Sequence, residues 1–170
     1  SHPIGHRGKE FSCEIIVTLL NRAVLDSMFS VLKFAGLEPI NLTLEPIAAI
    51  NAIVPTELRH LNIALVDIGA GTSDLALTRE GFIYAYGMVP IAGDEITEGI
   101  SQALLTDFLT AENIKRSVNI KENIAYEDIW GRKQEISSQE VKDKASASIK
   151  KLAQVIAENL LYLCAQKPEA

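Results

Sequence analysis

The sequence predicts an α/β fold with a mixed, partly antiparallel sheet and flanking helices. Three observations predict it. Short apolar runs rich in Ile, Val and Leu alternate with segments whose apolar residues recur at helical spacing. Between Asn62 and Val89 three such runs follow one another with only tight turns between them, which is a meander and not a helical crossover. A long stripe at steps of three and four, Val141, Ala145, Ile149, Leu152, Ile156, Leu160 and Leu163, marks one extended helix.

The elements follow in order. Phe11 to Leu19, with Cys13-Glu14-Ile15-Ile16-Val17 at its centre, reads as a strand. Asn21 caps a helix to about Ala35, with Val24, Met28, Val31, Leu32 and Ala35 on one face, and Gly36 ends it. Ile40 to Leu44 reads as a short strand, and Pro46 opens a helix through about Val54 as a first-turn proline. Thr56 to Leu61 is a polar connector. Asn62 to Ile68 is apolar almost throughout, as a buried central strand is. Thr72 to Thr78 returns, Glu80-Gly81 turns, and Phe82 to Val89 is the third strand of the meander. Helices are predicted over Glu95–Leu109 and Ala111–Val118, then an irregular stretch from Ile120 to Ile136 with one or two short strands around Trp130. Ser137 and Glu140 form a capping box that starts the last helix, to about Ala165.

A chain of 170 residues is long enough for one domain and a core. Its 48% hydrophobic and 22% charged residues are those of a globular protein. A net charge of −6 with no long basic run argues against nucleic acid as the main partner. Cys13 and Cys164 match no metal spacing and read as two buried thiols in a reducing cytoplasm. His2, His6 and His60 form no metal-binding pattern and read as structural or solvated. No apolar run reaches the roughly 18 residues that span a bilayer, and no signal peptide is visible. The first residue is Ser, and the last segment is helical where a closing strand would be expected, so both ends read as cut from a longer protein.

The chemistry concentrates in Asp67-Ile68-Gly69-Ala70-Gly71-Thr72-Ser73-Asp74. A strand runs into Asp67, glycines bracket Ala70, and a second strand leaves from Thr72. Glycines at such a tip permit positive φ and leave backbone N–H groups uncovered, and consecutive uncovered N–H groups make an anion nest. Thr72 adds a hydroxyl, and the Asp67 carboxylate, at the strand end, can hold a hydrated Mg²⁺. A divalent ion beside a backbone cradle is what a nucleoside triphosphate requires. The bland reading is an ordinary tight hairpin with Asp and Gly chosen for turn geometry. No Gly-Lys-Ser/Thr follows, as a Walker loop needs, and a strand follows where a dinucleotide fingerprint has a helix. Glu45, just before the Pro46 helix, can reach a metal or an attacking water; its bland reading is a helix-start acid favoured by the macrodipole.

Together these residues resemble a known family. Glu45-Pro46-Ile47-Ala48-Ala49, then a strand, then the Asp67–Asp74 motif, then Ala92-Gly93-Asp94, is similar to the sugar kinase, heat-shock chaperone and actin superfamily. Ala111-Glu112-Asn113-Ile114-Lys115-Arg116 resembles that superfamily's A-E-x-x-K segment, whose Glu and Lys meet the adenosine. Pro3-Ile4-Gly5-His6-Arg7-Gly8-Lys9-Glu10-Phe11 resembles the P-I-G-x-x-G-x-x-L segment of the bacterial cell-division family FtsA. The chain departs from the pattern at Ala70, where many members have Gly, at Ala92, and at Asn119, where chaperones often have Ser or Gly.

The resemblance implies a ribonuclease H-like, actin-type ATPase lobe, incomplete at both ends. Residues 1–55 would close the first lobe and carry the interdomain helix, and 56–170 would form most of the second. It implies ATP and Mg²⁺ as ligands. Asp67 would hold a metal-bound water, and Gly69, Ala70, Gly71 and Thr72 would cradle the β- and γ-phosphates. Glu45 would orient the attacking water. Gly93 would approach the phosphates, and Glu112 and Lys115 would touch ribose or adenine; by themselves the last two read as a solvated helix pair. Asp94 reads as a helix N-cap. For the parent protein the resemblance implies self-association into filaments, an FtsZ-like ring protein as partner, and membrane attachment only through a tether outside this chain. The alternatives are a chaperone-like or reactivating-factor ATPase of the same superfamily, and a scaffold similar to the pilus-assembly family PilM.

Overall fold

The computed structural model describes residues 5–10, 12, 15, 17–58, 61–80 and 82–165. They fall into two compact units, Ser1–Thr43 and Leu44–Ala170. In the first, the Asn21 side chain accepts the Ala23 N–H at 2.9 Å and starts helix α1 (Arg22–Phe34). Gly36, at φ +73°, ends it in the left-handed conformation that a Cβ disfavours. The strand expected over Phe11–Leu19 lies partly outside the described residues, at Phe11, Cys13, Glu14 and Ile16, and the described residues of that span form no strand. The strand expected at Ile40–Leu44 does not form either, and Ile40 is fully exposed. A strand exists only through its ladder, and among the described residues nothing pairs with this one.

The second unit opens with helix α2 (Glu45–Ile53), with Pro46 in its first turn. A 3₁₀ turn, Thr56–Leu58, leads to the meander of β1 (Ile63–Ile68), β2 (Ser73–Arg79) and β3 (Phe82–Val89). These strands form one antiparallel sheet in the order β1-β2-β3, and α2 packs against β1 and β2. The register sets Asp67 opposite Asp74 and Ile68 opposite Ser73. The expectation that the apolar 62–68 run is the buried centre is corrected. Strand β2 has a neighbour on both sides and buries Ser73, Leu75, Ala76, Leu77 and Thr78, whereas β1 lies at the edge and alternates, leaving Ala64, Val66 and Ile68 exposed.

Beyond the sheet come α3 (Gly93–Leu104), α4 (Phe108–Ser117), the hairpin β4 (Asn123–Glu127) and β5 (Lys133–Ser137), and α5 (Ser138–Ala165). Two helices form here as expected, but the break between them, expected between Leu109 and Ala111, falls earlier, at Leu105–Asp107. The chain turns at Leu105, which takes φ +50°, and restarts where Asp107 accepts the Leu109 and Thr110 N–H groups at 2.9 and 3.1 Å. Distant contacts hold the bend. The buried Thr106 hydroxyl donates to the Glu127 carbonyl at 2.8 Å, and the Ile129 N–H donates to the Leu105 carbonyl at 2.8 Å. The capping box forms as expected: the Ser137 N–H and hydroxyl both donate to Glu140 Oε2, and the Glu140 N–H donates to Ser137 Oγ.

Helix α5 joins two cores. Its first half closes one over Ile100, Ile114, Ile124 and Val141; its second half closes another with Leu75, Val89, Leu152 and Ile156 beneath the sheet. One member of the expected stripe departs from it: Ile149 is 44% exposed. Ser148 turns inward instead, because α3 presents Gly99 there and a Cβ on Gly99 would collide with Ser148 Oγ. Cys164, expected to be buried, is exposed, and Cys13 lies outside the described residues. Among the described residues no helix is long and apolar enough to cross a membrane. The close crossing gives a stability prediction. Gly99→Val should lower unfolding free energy by about 1–3 kcal/mol, as overpacking does, and shift the urea midpoint down; an unchanged midpoint would mean that α3 and α5 separate freely.

Candidate functional site

The hairpin between β1 and β2 is closed by the Gly69 N–H donating to the Thr72 carbonyl at 3.0 Å. Its glycines are there for space. Neither Gly69 nor Gly71 has positive φ, contrary to the sequence expectation, and Ala70 is likewise in ordinary conformational territory and carries no strain. A Cβ on Gly69 would lie 3.1 Å from the Thr72 carbonyl oxygen, while one on Gly71 would meet nothing within 4 Å. Gly71 therefore leaves bare, accessible backbone.

What orients the tip is the start of α3. The Gly93 N–H donates to the Gly69 carbonyl at 3.0 Å, and the Asp94 N–H donates to the Ala70 carbonyl at 2.8 Å. A helix leaves its first N–H groups without acceptors, and two are satisfied here by the hairpin backbone. The N-cap position is Ala92, which has no side-chain acceptor, so the expectation that Asp94 caps this helix is corrected: Asp94 lies in the first turn.

The consequence follows from peptide geometry. No peptide bond among the described residues is cis. In a planar trans peptide the N–H points opposite to the C=O. With the Gly69 and Ala70 carbonyls turned onto α3, the Ala70 and Gly71 N–H groups point away from it. Neither has an acceptor among the described residues. Two adjacent outward N–H groups lie beside the exposed Thr72, the kind of arrangement from which an anion nest is made. Asp67 and Asp74, directly opposite across the ladder, place two half-buried carboxylates on the same face at the strand ends.

Gly93 leads on to α4. Lys115 Nζ donates to the Gly93 carbonyl at 3.1 Å and to Thr97 Oγ1 at 2.6 Å, and pairs with Glu112 Oε2 at 2.5 Å. The Thr97 hydroxyl lies 2.6 Å from the same Glu112 oxygen, and Arg116 Nε donates to Glu112 Oε1 at 2.8 Å. The hydrogen bond from Lys115, then that from Thr97, hold the Glu112 carboxyl down at about 2, against an ordinary 4.5. The structure thus brings Gly69, Ala70, Gly93, Glu112 and Lys115 into one hydrogen-bonded chain. Glu45 stands apart: it is exposed, the first residue of α2, and its side chain makes no hydrogen bond or ion pair among the described residues.

Thr97 is the residue the sequence did not flag. It is fully buried, at the position of α3 where the stripe continued by Ile100 and Leu104 would take an apolar side chain. A polar residue in an apolar stripe was the available signal.

Comparison with known proteins places the chain in a family and a fold. A family model described as cell division protein FtsA matches residues 64–167. Cell division protein FtsA of Pseudomonas aeruginosa is 33% identical over 113 residues, covering 66% of this chain and 27% of that protein. The chain spans about a third of the length of the curated relatives it matches. Among solved structures, MreB5 of Spiroplasma citri bound to ADP superposes with a TM-score of 0.67 at 22% identity, over 88% of this chain and 49% of that one. The PilM–PilN type IV pilus biogenesis complex gives 0.65 at 22% identity, over 84% and 37%. The shared architecture is a mixed α/β fold with flanking helices.

The depressed Glu112 carboxyl sets a pH dependence. A carboxylate harder to protonate folded than unfolded contributes stability that is complete above its unfolded value, near 4.5, and is lost as pH falls toward about 2. Urea titrations of the wild-type and Glu112→Gln proteins should therefore differ most above pH 4.5 and converge as pH falls through that window. A difference that stays constant with pH would show that Glu112 is not held ionised by its neighbours.

Proposed function

The chain belongs to the cell division protein FtsA family, and on that premise we propose that it supplies the phosphate-binding part of an ATP·Mg²⁺ site in an actin-like cell-division protein. The observation that carries this reading is the hairpin tip. Among the described residues its two outward N–H groups have no acceptor, and no side chain other than those of its chain neighbours stands over Gly71. Ala70, Gly71 and Thr72 would hold the β- and γ-phosphates, with Gly69 shaping the turn and Gly93 admitting the close approach of α3.

The residues fit a magnesium ion. Asp67 and Asp74 oppose each other with no cationic partner among the described residues, an arrangement of like charges that costs stability unless a cation sits nearby. Oxygen donors suit Mg²⁺, which keeps several waters, so Asp67 would hold it through water. When bound, Mg²⁺ neutralises phosphate charge. Glu45 would orient the attacking water from the start of α2. Glu112 and Lys115 would define the nucleoside side of the site.

For the whole protein the reading is a weak ATPase at most, which self-associates into filaments and meets an FtsZ-like ring protein at the cytoplasmic face of the division site. Membrane attachment would come through a tether outside this chain. A second reading, a nucleotide-independent scaffold, is favoured by the likeness to the PilM–PilN complex. Calorimetry on the full-length protein separates the two. Wild type should bind Mg·ATP, Asp67→Ala should lose Mg²⁺-dependent binding, and Glu45→Ala should bind normally but turn over at least about tenfold more slowly, as loss of a positioned base predicts. Unchanged Mg·ATP affinity in Asp67→Ala would remove the site from this hairpin.

A further inference from the structure

We propose that the corner where the α3–α4 turn meets the tip of the β4–β5 hairpin is a two-fold contact surface for a second copy of this protein. The inference goes beyond the nucleotide reading and does not depend on it. Five large apolar side chains of the described residues stand exposed there: Leu105, Phe108 and Leu109 from the turn and the start of α4, and Ile129 and Trp130 from the hairpin tip. Leu109 is 73% exposed and Trp130 58%. They share one corner because the Ile129 N–H donates to the Leu105 carbonyl and the Thr106 hydroxyl to the Glu127 carbonyl, both at 2.8 Å. Apolar residues scattered singly over a surface are ordinary. Five in one patch, on the order of several hundred Å², are the size of feature that marks an interaction site.

The patch is built to keep its shape. The Asp128 carboxylate accepts from the Trp130 and Arg132 N–H groups at 2.9 and 3.0 Å and from the Gln134 side chain at 3.3 Å. The Asp128 N–H donates to the Arg132 carbonyl at 3.1 Å, and the Gly131 N–H to the Asp128 carbonyl at 2.9 Å. Gly131, at φ +77°, supplies the left-handed residue of this turn. The Arg132 guanidinium lies over the Trp130 ring, 4.9 Å from its centroid. An aromatic side chain on a fixed turn loses little freedom when it is covered, which is the property of an interface anchor.

The charges beside the patch select its occupant. Asp107 and Glu127, and Arg132 and Lys133, flank it and are all exposed. An apolar face buried inside one protein's core carries no such rim, whereas an interface between separate surfaces does. A membrane surface calls for a basic rim, and here two acids balance two bases. A rim of both signs is able to meet itself. A two-fold rotation sets the patch of one copy on the same patch of another and lets acids face bases. The patch falls short of the roughly 800 Å² per partner that a stable interface buries, so the contact is weak and reversible. A two-fold contact closes on itself: it joins two copies, or two filaments side by side, and does not by itself build a filament.

The test is sedimentation velocity on the full-length protein without nucleotide, over a concentration series. Wild type should pass reversibly from monomer to dimer. Trp130→Ser and Leu109→Ser, one from each element of the patch, should each raise the dimer Kd at least about tenfold, as truncation of an interface anchor predicts. Ile120→Ser, at an exposed apolar residue past the other end of α4, should dimerise as wild type does. Mg·ATP affinity should be the same in all three. A photo-crosslinking residue placed at Leu109 should link to the 127–132 turn of another copy, read from mixtures of isotope-labelled and unlabelled protein. A wild type that stays monomeric throughout the series, or crosslinks only within its own chain, would overturn the proposal. So would binding to phosphatidylglycerol vesicles that is lost in Trp130→Ser while dimerisation is kept, which would assign the patch to a membrane. If Trp130→Ser does not fold, Leu109→Ser decides. Failure of the wild type to bind Mg·ATP or to form filaments would contradict the proposed function alone, because the dimer is measured without nucleotide.

Discussion

Two hydrogen bonds, from the Gly93 and Asp94 N–H groups to the Gly69 and Ala70 carbonyls, are the constraint on which the site depends. Each partner solves the other's problem. The first turn of α3 has N–H groups with no acceptor inside the helix, and the hairpin tip has carbonyls with no donor inside the turn. Joining them satisfies both and fixes which way the tip peptides face. Ala92 belongs to this solution: an N-cap side chain with an oxygen would compete for the Asp94 N–H, and the buried alanine offers none.

The same end of α3 carries the charge network. Partly buried ions are stable only when their hydrogen-bonding groups are occupied. Glu112 and Lys115 meet that condition through Thr97, the Gly93 carbonyl and Arg116. Their reach depends on the angle between α3 and α4, and so on the bend at Leu105–Asp107. That bend is held by Thr106 and by the β4–β5 hairpin, whose turn is organised by Asp128 accepting the Trp130 and Arg132 N–H groups at 2.9 and 3.0 Å. An element distant from the Asp67–Asp74 hairpin therefore sets the geometry beside it. Helix α5, packed against both the sheet and the α3–α4 layer, holds the two in register.

Much of this was legible in the sequence because the signals are local. The Asp67–Asp74 motif marks a hairpin by its glycines, Pro46 and Asn21 mark helix starts, and Ser137 with Glu140 marks another. What was not legible depends on distant parts of the chain. No glycine or proline announces the break at Leu105; its left-handed backbone is imposed by bonds to Glu127 and Ile129. Apolar composition placed β1 at the centre, but centrality is decided by neighbours, and β2 has two. The stripe of α5 admitted Ile149 by spacing alone, until the small residue opposite, Gly99, drew in Ser148. Of the candidate site, the hairpin itself could be read from residue types. The roles of Thr97 and of Ala92, one a polar residue in an apolar stripe and the other a missing cap, become visible only when α4 and the hairpin are brought to the same helix end.

The central claim is that the backbone of the hairpin tip faces outward to receive phosphate. A structure of the full-length protein with Mg²⁺ and a non-hydrolysable ATP analogue tests it most directly. The account predicts phosphate oxygens accepting from the Ala70 and Gly71 N–H groups while the Gly69 and Ala70 carbonyls keep their bonds to α3. A bound nucleotide whose phosphates lie away from this tip, or a tip whose peptides have flipped to free those carbonyls, would contradict it.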